Sequence, residues 1–95
     1  MSVLEKLTGG PLSIGGLMNS IRLGEEMSLV EFSSKLGISR SHLCDIEKGR
    51  KAVSLTRAIE FAERLGYSKD QFARLALQTQ VNEAGLKYRV QIEAA

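Results

Sequence analysis

The chain has 95 residues, 43% of them hydrophobic, with 13 basic and 11 acidic side chains and a formal net charge of +2. This length is sufficient for one domain with a modest core, and the ordinary apolar fraction argues against a disordered chain. No apolar run approaches the roughly 20 residues that cross a bilayer, so we expect no membrane partner.

The first predicted elements are a leader and a helix. Residues 1–12 are expected to form a flexible leader, because the glycines and the proline at positions 9–11 stop any helix that begins before them. A first domain helix is predicted over about residues 13–26, although three glycines within it lower its helix propensity. Its inward-facing residues are predicted to be Leu17, Met18 and Ile21.

A second helix is predicted over residues 29–36, at the start of the most informative stretch of the chain. Ser28 and Glu31 have the spacing of a capping box, in which each side chain accepts a hydrogen bond from the other residue's backbone N–H. The apolar face of this helix is predicted to contain Leu29, Phe32 and Leu36.

A tight turn and a third helix, over about residues 40–48, come next. Gly37 can adopt a positive φ without steric cost, so one helix can end there and the chain can reverse. Ser39 can cap the following helix, whose apolar side contains Leu43 and Ile46. Two capped helices joined by a glycine turn predict a helix-turn-helix, in which the second helix is free to enter a DNA major groove.

Positive charge is concentrated around the third helix. Residues 35–51 hold five basic residues against two acidic ones, which gives a local charge of +3. A basic patch on one element is typical of phosphate contact, and the alternative is a solvated polar surface. The five basic residues are Lys35, Arg40, Lys48, Arg50 and Lys51.

Two further helices complete the predicted domain, which spans residues 13–84. Ser54 is expected to cap a fourth helix over residues 55–65, and Ser68 to open a fifth that runs to about residue 83. The residues predicted to face inward from these helices are Leu55, Ile59, Ala62, Leu65, Phe72, Leu75, Ala76 and Thr79.

The C-terminal segment, residues 85–95, changes character. Apolar and polar residues alternate over positions 86–93, which predicts a half-buried β-strand. A lone strand leaves backbone groups without partners, so we expect the same strand of a second copy to pair with it across a two-fold axis. There are two alternatives: the segment is a frayed tail, or it pairs with residues 2–7 of the same chain. The predicted dimerisation residues are Leu86, Tyr88, Val90 and Ile92.

Over about residues 14–77 the chain resembles the Cro/repressor-type helix-turn-helix family, also called the xenobiotic response element family. Arg22 and Glu47 stand where that family has a buried ion pair between its first and third helices. Residues 46–49 and 65–68 match its apolar-Glu-x-Gly and Leu-Gly-x-Ser patterns. The resemblance implies an all-α, five-helix domain, to which the predicted C-terminal strand is an addition.

The resemblance also implies that the exposed N-terminal face of the third helix reads DNA bases. On this sequence that face consists of Arg40, Ser41, Cys44 and Asp45. The Arg40 guanidinium can bond guanine O6 and N7, Ser41 discriminates less, and Cys44 suits an apolar contact. For Asp45 two roles stay open, acceptance from cytosine N4 or orientation of Arg40.

DNA backbone contacts are predicted beside this face. Lys48, Arg50 and Lys51 follow the third helix and are expected to meet phosphates, which position the protein without specifying a sequence. The N-termini of the second and third helices, at Ser28 and Ser39, are expected to offer backbone N–H groups. Leu29 departs from the family pattern, which often has a phosphate-binding glutamine there.

Catalytic chemistry is not predicted. His42 and Cys44 lie about 200° apart on a helix, so thiol and imidazole point to opposite sides. One cysteine and one histidine cannot complete a zinc site, so we expect no metal and no cofactor. The single cysteine also excludes an internal disulfide and fits a reducing cytoplasm, although a redox role for this thiol stays open.

These patterns predict a homodimeric, DNA-binding transcriptional regulator, most simply a bacterial or phage repressor of a pseudo-palindromic operator. The first alternative is an antitoxin, which would bind a toxin through the leader or the tail and repress its own operon. The second is a protein adaptor that has lost DNA binding.

Overall fold

The structure is a computed structural model that describes residues 13–93. Within that range it contains five helices and no strand: α1 (Ile14–Gly24), α2 (Leu29–Leu36), α3 (Arg40–Glu47), α4 (Leu55–Leu65) and α5 (Lys69–Glu83). The five predicted helices are therefore confirmed, with ends that differ by at most a few residues. The leader predicted for residues 1–12 lies outside the described residues.

A serine side chain caps the start of every one of these helices. Each serine has extended backbone dihedrals, and its Oγ accepts a hydrogen bond from the backbone N–H three residues later. Such a bond satisfies one of the N–H groups that a helix leaves without a partner in its first turn. Short polar signals in the sequence thus fix where the helices begin. The five caps are Ser13, Ser28, Ser39, Ser54 and Ser68.

The core lies where all five helices meet. α1 packs against α3 and α5, α2 packs against α3 and α4, and α4 packs along α5. Three phenylalanines from α2, α4 and α5 are fully buried at its centre. This packing leaves the side of α3 opposite α1 and α2 available to solvent. The three aromatic residues are Phe32, Phe61 and Phe72.

The predicted inward face of α4 is partly wrong. Ala58, Phe61, Ala62 and Leu65 form its buried stripe, whereas Leu55 is 39% exposed and Ile59 is only half-buried. On a helical wheel the last two residues lie at the margin of the stripe that the small Ala58 and Ala62 define. The sequence pattern misled because it aligned the stripe with Leu55 and Ile59 and left out Ala58 and Phe61, both of which are fully buried.

The predicted strand over residues 86–93 is wrong for the single chain, because this segment has neither helix nor strand. The buried side chain of Gln78, on α5, contacts the tail in the way a strand partner would. Its Nε2 donates to the Tyr88 carbonyl over 2.8 Å, and its Oε1 accepts from the Val90 N–H over 2.8 Å. Leu86, Tyr88 and Ile92 are exposed, and Val90 is half-buried.

Candidate nucleic-acid interface

The joint between α2 and α3 sets the direction of the candidate reading helix. Gly37 ends α2 with φ of 76°, a left-handed conformation that favours glycine. Ser39 then accepts a hydrogen bond from the His42 N–H over 3.0 Å and begins α3. Leu43 and Ile46 are buried beneath α3, so its opposite side faces outward.

An ion pair between Arg22 on α1 and Glu47 at the end of α3 fixes the far end of the reading helix. Arg22 donates through Nε to Glu47 Oε2 over 2.8 Å and through Nη2 to Oε1 over 3.0 Å. The side chains are only 15% and 6% exposed. The hydrogen bond to Glu47 raises the pKa of Arg22 above its ordinary value, against the opposing effect of burial. Arg22 is therefore charged at any physiological pH.

Two further contacts support that ion pair. The Asn19 amide donates to Glu47 Oε1 over 2.9 Å, and Arg22 Nη1 donates to the Met27 carbonyl over 3.1 Å. A buried ion pair is stable only when such bonds satisfy its remaining donors and acceptors. Asn19 was not predicted as part of this site, since one amide on a helix carries no pattern of its own.

Gly15 was also missed, although a glycine inside a helix is itself a signal. A Cβ at this position would collide with the backbone carbonyl of Ile46, so only glycine lets α1 approach the end of α3 this closely. Gly15 lowers the helix propensity of α1, but it allows α1 to pack closely against α3.

The predicted base-reading residues fall into two groups. Arg40 and Ser41, in the first turn of α3, are exposed, whereas Cys44 and Asp45 are half-buried. The first turn of α3 contains no acidic residue, so nothing there opposes an approaching phosphate. The N-terminal end of α3 therefore presents the positive charge of Arg40 on a surface that is exposed to solvent.

Asp45 contacts Arg50 rather than Arg40. Arg50 Nε donates to Asp45 Oδ1 over 3.1 Å, and the Asp45 carbonyl accepts from the backbone N–H groups of Arg50 and Lys51 over 2.7 and 3.2 Å. Gly49, with φ of 76°, makes this reversal possible. The sequence did not predict this partner, and the two suggested roles of Asp45, toward cytosine and toward Arg40, stay predictions. Asp45 instead fixes the basic loop against the end of α3.

The N-terminus of α2 differs from that of α3, because a carboxylate occupies it. Ser28 N–H donates to Glu31 Oε1 over 3.0 Å, and Glu31 N–H donates to Ser28 Oγ over 3.1 Å, which confirms the predicted capping box. The hydrogen bond from the Ser28 backbone, assisted by that from its side chain, lowers the pKa of Glu31. The Ser28 N–H is thus already bound within the chain.

The described residues hold little else that suggests chemistry. Within residues 13–93, no three histidine, cysteine, aspartate or glutamate side chains are grouped so that they could hold a metal ion. In the same range, none of the helices combines the length and apolar character that a membrane crossing requires.

Comparison with known families agrees with this geometry. The sequence profile of the helix-turn-helix family matches residues 19–72, more than half of the chain. The chain belongs to the helix-turn-helix family. Within that family it is of the Cro/repressor type, also called the xenobiotic response element type, and it is a DNA-binding transcriptional regulator. No curated protein and no solved structure gave a significant match.

Proposed function

We propose that this helix-turn-helix protein is a homodimeric repressor that inserts α3 of each subunit into the major groove of a pseudo-palindromic operator. The observation that carries the proposal is the asymmetry of α3. Leu43 and Ile46 are buried on one side, while Arg40 and Ser41 are exposed on the other, at a helix end without acidic residues. A major groove admits one helix, whose exposed side chains then meet the base edges.

Base recognition is proposed for the exposed side of α3. Arg40 bonds guanine O6 and N7 through its guanidinium, and Ser41 adds a hydrogen bond of lower selectivity. Cys44, half-buried one turn later, suits an apolar contact with a thymine methyl. Asp45 shares its carboxylate with Arg50, so its proposed contact with cytosine N4 uses the oxygen that Arg50 leaves free.

Phosphate contact is proposed for the basic loop after α3. Lys48 and Lys51 are exposed there, and Arg50 is 60% exposed even though it contacts Asp45. At the N-terminus of α3, the Ser39 cap orients backbone N–H groups toward an approaching phosphate. The corresponding contact at Ser28 is weaker, because Glu31 accepts the Ser28 N–H and adds a negative charge.

A dimer is proposed because one recognition helix reads too few base pairs to define an operator. Two copies related by a two-fold axis place their recognition helices about 34–36 Å apart, one turn of DNA. The proposed contact between subunits is the tail, whose apolar residues Leu86, Tyr88 and Ile92 remain exposed in the single chain. Such a repressor would act in the cytoplasm of a bacterium, on a chromosomal or phage promoter.

The experiment that tests this function is selection of bound duplexes from a random DNA library, with the wild-type protein, Arg40→Ala and Lys69→Ala. We expect a palindromic motif with half-sites one turn apart. Arg40→Ala should lose preference at one base pair per half-site, at a cost of about 1–3 kcal/mol. Lys69→Ala is the matched control, since Lys69 is exposed on α5, which packs against α1 and α4.

Other outcomes of the selection would contradict parts of the proposal. An equal loss of affinity for all sequences in Arg40→Ala would make Arg40 a phosphate contact. A motif with one half-site would contradict the dimer. Failure to enrich any sequence would favour the adaptor, or an antitoxin that needs its toxin to bind. Co-purification of a small basic protein encoded next to this one would favour the antitoxin.

A further inference from the structure

Gln78 holds one edge of the C-terminal tail and leaves the other open. Its side-chain amide, 8% exposed, bonds the Tyr88 carbonyl and the Val90 N–H, which flank Arg89. One residue of a neighbouring β-strand would make the same pair of bonds. Because backbone groups alternate between the two edges of an extended segment, those of Lys87, Arg89 and Gln91 face the opposite edge.

Apolar side chains of the same segment remain exposed in the single chain. The Tyr88 side chain is 70% exposed, although the Tyr88 carbonyl accepts a hydrogen bond from Gln78. Ile92, four residues on, is 38% exposed, and Val90 between them is half-buried. A second strand along this edge would cover these side chains and supply hydrogen bonds to the backbone groups.

We propose that the tail of a second copy pairs antiparallel with this edge, in the register that places Lys87 opposite Glu93 of the partner subunit and Val90 on the two-fold axis. This inference rests on the homodimer of the proposed function and specifies its interface. Gln78 acts as a positioning residue, because its two hydrogen bonds fix which edge of the tail faces the domain and leave the other edge for the second copy. The tail then becomes a strand only in the dimer.

Charge and apolar pairing together select this register among its neighbours. With Val90 on the axis, the Lys87–Glu93 pair occurs twice and Arg89 faces the neutral Gln91. A register centred on Arg89 would place two arginines directly opposite, which is destabilising. A register centred on Gln91 would pair Arg89 with Glu93 but set the exposed Tyr88 opposite Ala94 instead of Ile92.

Disulfide cross-linking of the full-length protein reads the register directly. In a Cys44→Ser background, single cysteines are introduced as Arg89→Cys, Val90→Cys and Gln91→Cys, and covalent dimer is measured after mild oxidation. Only the residue on the two-fold axis meets its own copy at disulfide distance. We expect Val90→Cys to cross-link fastest. Faster cross-linking of either neighbour would overturn the register.

Charge reversal gives an independent test by sedimentation. Lys87→Glu and Glu93→Lys should each weaken the dimer about tenfold, because two opposite-charge pairs become like-charge pairs. The double variant should return to within about threefold of wild type. Arg89→Glu is the matched control, with the same change in charge opposite a neutral residue, and should dimerise as wild type does. Circular dichroism checks that each variant is folded.

The outcomes separate this inference from the proposed function. A wild-type dimer that is unaffected by all of these changes would overturn the tail interface but leave the homodimeric repressor standing. A dimer sensitive to Arg89→Glu and not to Lys87→Glu would overturn the register alone. A wild-type monomer that still selects a half-site from the DNA library would overturn both the interface and the dimer, while DNA reading through α3 would stand.

Discussion

The helical domain and the C-terminal tail of this protein are held by different kinds of interaction. The domain has a continuous core to which every helix contributes, and a serine cap at the start of each helix. Beyond Leu86, the tail is held by the half-buried Val90 and by two hydrogen bonds to Gln78. The many interactions of the domain form cooperatively and keep it folded without a partner. A segment held by only a few contacts depends on further partners for its stability.

The largest expected effect comes from the buried ion pair that links α1 to α3. Arg22→Ala should lower the free energy of unfolding by about 3–5 kcal/mol, because Glu47 would stay buried without its partner. Urea denaturation measures this loss, with Lys35→Ala on the exposed side of α2 as the control. If Arg22→Ala cost no more than Lys35→Ala, the domain would not depend on this contact.

A smaller effect is expected where α1 approaches α3 most closely. Gly15→Ala should destabilise the domain by about 1–3 kcal/mol, since the added methyl group meets the Ile46 carbonyl and the helices must separate. Gly24→Ala, in the same helix but with open space around it, should instead stabilise by up to about 1 kcal/mol. Thermal denaturation compares the two. Equal effects would mean that helix propensity alone explains Gly15.

The tail should respond separately from the domain. Gln78→Ala is expected to accelerate amide hydrogen exchange at Val90 about tenfold, because the Val90 N–H loses its acceptor. Core amides of α2 and α4 should keep their protection, as local opening does not unfold the whole chain. Gln80→Ala, an exposed glutamine on the same helix, is the control. Loss of protection throughout the domain would show that tail and core form one cooperative unit.

The smallest effect concerns the surface of the domain and depends on pH. The pKa of Glu31 is lowered in the folded state, so its contribution to stability is present above its ordinary value of 4.5 and is lost as the pH falls through the lowered value. NMR titration of Glu31 should show this lowered pKa. Ser28→Ala should bring it back toward the ordinary value, since Ser28 supplies the responsible hydrogen bonds. An unchanged pKa in Ser28→Ala would assign the shift to another cause.

The predictions that succeeded at sequence level rest on short-range chemistry. Ser28 and Glu31 predict a capping box because its two bonds join residues three apart, and the bonds are present in the structure. Gly37 predicts the turn because a positive φ suits glycine, and its φ is 76°. The contact of Arg22 with Glu47 is the exception, since it spans 25 residues and was expected chiefly from the family resemblance.

The predictions that failed concern choices among several available partners. The contact of Asp45 with Arg50 was missed, and it forms because Gly49 reverses the loop onto the end of α3. Leu55 lies on an apolar spacing but is exposed, because the buried stripe of α4 is centred on Ala58 and Phe61 instead. Alternation in the tail indicated a strand, and the single chain uses Gln78 in place of a strand partner.

Local sequence chemistry specifies the five helices, their serine caps and the glycine turn of the helix-turn-helix, because these depend on backbone dihedrals and on residues within one helical turn. The packing of the helices specifies which residues donate to the buried carboxylate of Glu47, which cations stay exposed beside α3, and how Gln78 binds the tail. Those outcomes depend on distances between segments far apart in the chain, which only the packing of the five helices determines.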